Sequence, residues 1–156
     1  MSQAFVKESD ASDDLPERPL SEEPNYVTPR GQADLREQVS ALREHRAALL
    51  AQKTPETEAA LKAAERDLRY FQARLETAIV VEHKDTVPAD VRFGAEVEVQ
   101  ADGALKRFAI VGEDEAAPES GKLAWCSPMA RALLGAKPGD AVDFGEKRLQ
   151  VLSVRY

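Results

Sequence analysis

Residues 49–61, LLAQKTPETEAAL, separate two long stretches that carry a helical pattern. Thr54 followed by Pro55 is typical of a helix start, because threonine caps a helix and proline suits its first position, where an N–H would be unpaired. Two helices joined by so short a turn run antiparallel. The stretch therefore predicts a helical hairpin. At the tip of this hairpin, the candidate contact residues are Lys53, Thr54, Glu56 and Glu58.

The two arms of this hairpin have apolar residues at alternating steps of three and four, as one face of a helix does. The first arm begins with a second Thr-Pro pair inside NYVTPRG, residues 25–31. Its seam is Leu35, Val39, Leu42, Arg46 and Leu49, and the seam of the second arm is Leu61, Ala64, Leu68, Phe71, Leu75 and Ala78. Because neither helix could bury its seam alone, we expect an antiparallel coiled-coil hairpin over residues 28–83.

The sequence after residue 83 changes its period from helical to alternating. VRFGAEVEVQ, residues 91–100, alternates apolar and polar residues as a half-buried strand does, and further strands are predicted in 105–112, 122–127, 141–144 and 148–156. SPMARALLG, residues 127–135, has the cap, first-turn proline and terminal glycine of a short helix. Residues 84–156 therefore predict a small β-rich domain with one short helix, and the whole chain an α+β fold.

Residues 1 to about 27 are acidic and interspersed with proline, which predicts a disordered tail. The GEDE loop, residues 112–115, is predicted to be solvated.

The chain has 156 residues, a formal net charge of −7 and one cysteine. No apolar run approaches the roughly 20 residues of a membrane span, and no secretory signal is visible, so we expect a cytoplasmic protein. The acidic balance argues against binding bare DNA by charge alone.

Several ordered strings in this chain resemble the Gre family of bacterial transcription elongation factors, GreA and GreB, with SPMARALL closer to the GreB branch. The strings are NYVTPRG, VRFGAEVEV, FAIVGEDEA, CSPMARALLGAKPGD and VLSVRY, within about residues 25–156. The resemblance implies an FKBP-like C-terminal domain that docks at the rim of the secondary channel of RNA polymerase, while the hairpin enters the channel. It assigns the docking segment to Ser127, Pro128 and Met129.

The resemblance also implies a role for the tip. In members that rescue backtracked polymerase, acidic tip residues help to hold a second Mg²⁺ in the polymerase active site, and the polymerase then cleaves its own RNA. The family's tip motif, G-D-x-S-E-N-A, does not occur here. The hairpin is also shorter by about one heptad in each arm, roughly 10 Å of reach. Both departures argue against cleavage stimulation.

Glu56 and Glu58 are the acids of this shorter tip. They lie in a first helical turn, where negative charge complements the helix dipole, and contact with the channel or its Mg²⁺ is the alternative. We expect no cofactor or metal site in the chain itself, so that Mg²⁺ matters only if cleavage is retained.

Basic residues on the second arm, Lys62, Arg66 and Arg69, could contact RNA or the channel wall, with Tyr70 stacking on a base. Acidic residues interleave with them, which also fits a plain solvated helix face.

The function predicted from these features is that of a monomeric, non-catalytic regulator of bacterial RNA polymerase, with nascent RNA or DNA in the elongation complex as a further contact. Two alternatives remain. One is a coiled-coil interaction protein. The other is an FKBP-like prolyl isomerase, which would need an aromatic-lined pocket. Its candidate aromatic residues are Phe93, Phe108, Trp125, Phe144 and Tyr156, which we expect to fill the core instead.

Overall fold

A computed structural model of the chain describes residues 15–156. These residues form two compact units. The helical unit comprises 15–22 and Ala33–Thr77, and the β-rich unit comprises Glu23–Gln32 and Ala78–Tyr156. Among the described residues, no helix combines the length and the apolar character that crossing a bilayer requires.

The two long helices are α1, Pro29–Leu50, and α2, Pro55–Thr77. Both start at the predicted Thr-Pro pairs. Near the turn, Arg46 of α1 donates from Nε to Glu65 Oε1 of α2 at 3.1 Å. Farther from the turn, Val39 and Gln72 line one groove between the helices. These contacts pair the end of α1 with the start of α2, so the predicted antiparallel hairpin is confirmed.

The seam of the hairpin is buried most completely away from its tip. Leu35, Val39, Ala64 and Leu68 are buried, whereas Arg46, the polar member of the first seam, is exposed. One charged side chain of α2, Arg74, is also buried, with only 3% of its surface exposed.

The segment before α1 differs from the predicted disordered tail. Glu17 and Arg18 contact α2, and Tyr26–Val27 forms strand β1, which pairs in parallel with β2, Ile79–Val80. Acidic composition predicted disorder, but ring contacts, ion pairs and strand pairing bring these residues into order. Residues 1–14, the rest of the predicted tail, lie outside the described residues.

A five-stranded sheet forms the centre of the β-rich unit, in the order β5-β4-β3-β7-β6. Its strands are β3 Glu96–Ala101, β4 Ala104–Val111, β5 Lys122–Ala124, β6 Ala141–Phe144 and β7 Lys147–Arg155. Neighbouring strands are antiparallel except β4 and β5. Short 3-10 turns occupy Glu113–Glu115 and Pro118–Ser120, and the predicted short helix is α3, Pro128–Leu133.

The core of the β-rich unit lies between one face of the sheet and α3. Val97, Val99 and Val151 are fully buried, as the alternating pattern requires, and Leu133 of α3 packs with them. The turn between β3 and β4 has positive φ angles at Asp102 (52°) and Gly103 (77°). Aspartate and glycine tolerate this conformation, which accounts for the ADG turn of the sequence.

Candidate functional site

The hairpin tip is held by two threonines that cap each other's backbone. Thr57 N donates to Thr54 Oγ1 at 3.2 Å, and Thr54 N donates to Thr57 Oγ1 at 2.9 Å. The Thr57 hydroxyl also lies 2.7 Å from the carbonyl oxygen of Gln52. The Thr54 cap follows from the sequence, but Thr57 was not predicted, because the capping box has glutamate or glutamine at its position. These bonds satisfy backbone groups that a helix start leaves unpaired.

The charged residues of the tip are fully exposed. Lys53 lies in the turn, and Glu56 and Glu58 lie in the first turn of α2. Two residues apart on a helix, the two acids point in different directions, which is a poor arrangement for joint metal binding. Within residues 15–156, no group of three or more histidine, cysteine, aspartate or glutamate side chains is placed to hold a metal ion.

Two of the three basic residues predicted on α2 are engaged by carboxylates. Arg66 pairs with Asp67 at 3.4 Å, and Arg69 Nε donates to both carboxylate oxygens of Glu17 at 3.0 and 3.1 Å. The third, Lys62, is exposed and also makes a polar or electrostatic interaction. The partner Glu17 is 52 positions from Arg69 in the sequence, and no local signal predicts such a contact.

Tyr70, predicted as a stacking residue, has a flat cation over its ring. The Cζ atom of Arg18 lies 4.0 Å from the centroid of Tyr70 and 5.1 Å from that of Phe71. Arg18 Nη1 also donates to Asp67 Oδ1 at 3.4 Å. The structure therefore brings Glu17 and Arg18 together with Arg69 and Tyr70 on one face of α2.

The start of α1 is tied to the acidic loop that the sequence analysis predicted to be solvated. Thr28 Oγ1 donates to Glu115 Oε2 at 2.7 Å and accepts from Gly31 N at 2.9 Å. A Cβ atom on Gly31 would lie 2.7 Å from Glu115 Oε2, which is closer than van der Waals contact allows. The solvated-loop prediction is wrong for Glu115, because its half-buried carboxylate holds the cap of a helix more than 80 positions away.

The segment predicted to dock is the beginning of α3. Ser127 caps this helix by accepting from Ala130 N at 3.4 Å, and Pro128 is exposed at the first helical position. Met129 is half-buried against the core. On the same helix, Arg131 donates to Glu23 at 3.0 Å. The helix start is as predicted, and the docking role stays a prediction.

The aromatic residues of the β-rich unit mainly support its core. Phe108, Trp125 and Phe144 pack against the buried cluster, and Tyr26 of β1 contacts Trp125 edge-on at 5.1 Å between ring centroids. Tyr156 instead contacts the ring of His83. A groove of about 180 Å³ is lined by Phe108 together with mostly polar and charged residues, and by none of the other aromatic residues.

Cys126, which follows Trp125 in the sequence, carries a thiol of low reactivity. Cys126 is half-buried, and burial raises the pKa of its thiol, which the carboxylate of Glu113 raises further. A raised pKa keeps the thiol protonated near neutral pH and therefore unreactive.

Residues 86–156 match the family model described as transcription elongation factor, GreA/GreB, C-terminal. The chain is 40% identical over 101 residues to transcription elongation factor GreB of Pseudomonas putida, a match covering 62% of each protein. It is 38% identical over 98 residues to GreB of Neisseria meningitidis, covering 59% of this chain and 60% of that protein.

A solved GreA/GreB structure from Nitrosomonas europaea is 19% identical and aligns with a TM-score of 0.42, over 84% of this chain and 98% of that one. The chain spans about 60% of the length of the curated relatives it matches. Residues 86–156 are therefore similar to the C-terminal domain of the GreA/GreB transcription elongation factors.

Proposed function

We propose that this protein is a non-catalytic regulator of transcription elongation that binds bacterial RNA polymerase. The observation that carries the proposal is the match of residues 86–156 to the GreA/GreB C-terminal domain, with relatives that are named transcription elongation factors. The helical hairpin that precedes this domain supports it. Binding to the polymerase would place the protein in the cytoplasm.

The proposed binding site on the polymerase is the secondary channel. In this proposal the start of α3 docks at the channel rim and the hairpin enters the channel. Exposed Pro128 and the Ser127 cap give α3 a defined, accessible end. Helices of 22 and 23 residues are about 33 to 35 Å long, which suits insertion into a deep pore.

The proposed effect on the polymerase is occupancy of the channel without stimulated RNA cleavage. Mg²⁺ takes carboxylate ligands at about 2.1 Å in a near-octahedral arrangement, so a tip must present its acids in one direction and at full reach. The tip here presents Glu56 and Glu58 on different sides of the first turn of α2. Their first-turn position suits helix stabilisation better than metal delivery.

The first experiment is a pull-down of bacterial core polymerase by the purified protein at moderate salt. Retention of the polymerase is expected, and its absence would overturn the proposal. Pro128→Asp with Ser127→Ala should weaken retention, whereas Asp143→Ala with Arg148→Ala, which removes an exposed ion pair on β6 and β7, should leave it unchanged.

The second experiment distinguishes occupancy from cleavage. Backtracked elongation complexes are incubated with the protein and Mg²⁺, alone and together with an authentic GreB, while RNA length is followed. We expect no shortening by the protein alone and inhibition of the shortening that GreB produces. Shortening that disappears in Glu56→Ala/Glu58→Ala would instead assign cleavage stimulation to the tip.

A further inference from the structure

Two consecutive residues of the N-terminal segment, Glu17 and Arg18, bind neighbouring side chains of α2. The Glu17 carboxylate accepts two hydrogen bonds from Arg69 Nε, at 3.0 and 3.1 Å, and a third from Arg69 Nη2. The Arg18 guanidinium lies over Tyr70, with its Cζ 4.0 Å from the ring centroid. The dipeptide thus places an anion on an arginine and a flat group on an aromatic ring, side by side.

The same two positions on α2 are those that a nucleotide would use. An arginine guanidinium binds phosphate through the forked geometry with which it binds a carboxylate. A half-exposed tyrosine ring beside a cation, such as Tyr70, is a platform on which a base of single-stranded nucleic acid stacks. Glu17 therefore takes the place of a phosphate, and Arg18 takes the place of a base.

From this correspondence we propose that Glu17 and Arg18 form a strap that imitates a nucleotide and competes with single-stranded RNA for Arg69 and Tyr70. We call these two residues the strap. Access of RNA to this face of α2 is then controlled by release of the strap. The inference concerns the helical unit alone, so its failure would leave the proposed binding to polymerase standing.

The strap is suited to reversible release because the contact between Glu17 and Arg69 is exposed. The side chains of Arg69 and Glu17 are 54% and 61% exposed, and exposed ion pairs contribute little to stability. The flanking leucines Leu15 and Leu20 are 42% and 54% exposed, so little apolar surface anchors the segment. A polyanion with several phosphates can therefore displace it.

The strap is also prepared for docking by its own backbone. Pro16 precedes Glu17, and Pro19 follows Arg18. Proline fixes its own φ angle and biases the residue before it toward extended conformations. Residues 15–20 accordingly form no helix or strand. This restriction lowers the conformational entropy that the segment loses when it binds.

The test is the affinity of the full chain for a fluorescein-labelled oligouridine, followed by anisotropy over a series of salt concentrations. Glu17→Ala/Arg18→Ala removes the strap without changing the net charge. We expect it to bind the RNA about tenfold more tightly than the wild type does, because one exposed ion pair and one cation–π contact no longer compete. One additional phosphate contact should steepen the slope of log affinity against log salt by about 0.7.

Two control variants make the result specific. Asp143→Ala/Arg148→Ala removes an equally charge-neutral, exposed ion pair from the β-rich unit and should leave RNA affinity unchanged. Adding Arg69→Gln to the strap variant should abolish the gain in affinity. Circular dichroism verifies that every variant is folded.

The proposal is overturned by any of three results. The first is equal affinity and salt dependence in the wild type and the strap variant. The second is a gain of the same size when Arg69→Gln is present. The third is absence of RNA binding in all variants at low salt.

Discussion

The two units of this protein achieve order in different ways. The β-rich unit has a continuous core in which Val97, Val99, Leu133 and Val151 are fully buried, and it is the part that matches the GreA/GreB family model. The helical unit has few fully buried side chains. Exposed ion pairs connect its segments: Arg46–Glu65 joins α1 to α2, and Arg69–Glu17 joins α2 to the N-terminal segment. A dense core constrains every position, whereas a two-helix seam tolerates paired changes in length. The similarity to the GreA/GreB family model thus lies in the unit with the dense core.

The largest expected effect tests the contrast between the two cores. Leu133→Ala should destabilise the β-rich unit by about 3 kcal/mol, because it leaves a cavity at a position with no exposed surface. Leu61→Ala, at a half-buried position of α2, should lower the free energy of unfolding by only about 1 kcal/mol. The free energy of unfolding is measured by urea titration, with fluorescence of the single tryptophan, Trp125, reporting on the β-rich unit. An equal loss of unfolding free energy in Leu133→Ala and Leu61→Ala would contradict the difference in packing between the two units.

The next effect compares the two helix caps. Thr28→Ala should cost about 2 kcal/mol because Thr28 caps α1 and also binds the half-buried Glu115. Thr54→Ala at the exposed tip should cost about 0.5 kcal/mol, since water can replace its hydroxyl. Thermal unfolding measures both, and Thr28→Ser is the control that keeps the hydroxyl. A larger loss at Thr54, or a loss for Thr28→Ser equal to that for Thr28→Ala, would contradict this ranking.

A smaller effect concerns the strap. The hydrogen bond from Arg69 lowers the pKa of Glu17 below its ordinary value of 4.5, and the charge of Arg69 lowers it further. Because the folded-state pKa is lowered, the contribution of Glu17 to stability is present above pH 4.5 and is lost as the pH falls through the lowered pKa. Carboxyl NMR titration should give a lowered pKa for Glu17 in the wild type and an ordinary value in Arg69→Gln. An unchanged Glu17 pKa between the two would disprove the pairing in solution.

The smallest expected effect concerns the half-buried thiol of Cys126 in the β-rich unit. Since burial and Glu113 raise the pKa of Cys126, the thiol should react with a disulfide reagent at neutral pH more slowly than free cysteine does. Glu113→Gln should increase the rate by a few-fold, because it removes the negative charge of Glu113, one of the causes of the raised pKa. Spectrophotometric thiol titration of the folded protein measures this rate, with the denatured protein as the reference for an accessible thiol.

The sequence predicted the two long helices, the short helix and the strands of the five-stranded sheet, because their signals are local. The pairs Thr28–Pro29 and Thr54–Pro55 marked both helix starts. Alternation over residues 91–100 marked β3, whose valines are buried, but the strand covers only Glu96–Ala101 and residues 91–95 form no strand. The short helix followed from Ser127 and Gly135 in the same way. Each of these features depends on residues a few positions apart, within reach of capping and periodicity rules.

The parts that the sequence did not predict depend on distant contacts. Glu17 meets Arg69 over 52 positions, and Thr28 meets Glu115 over 87. Acidic, proline-rich composition argued for disorder before α1, yet the order there comes from a few specific partners rather than from apolar burial. For the candidate sites, the sequence indicated the basic and aromatic residues of α2. No local pattern indicated that Glu17 and Arg18 of the same chain contact two of them, Arg69 and Tyr70.

The parallel pairing of β1 with β2 has a consequence for how such proteins diversify. Tyr26–Val27 precedes the hairpin and Ile79–Val80 follows it. The pairing of these two strands therefore joins both ends of the hairpin within the β-rich unit. Because this pairing lies outside the hairpin, both arms of the hairpin can gain or lose the same number of turns without changing it. Hairpins of graded length could be placed between these strands to measure how hairpin length affects the proposed binding to RNA polymerase.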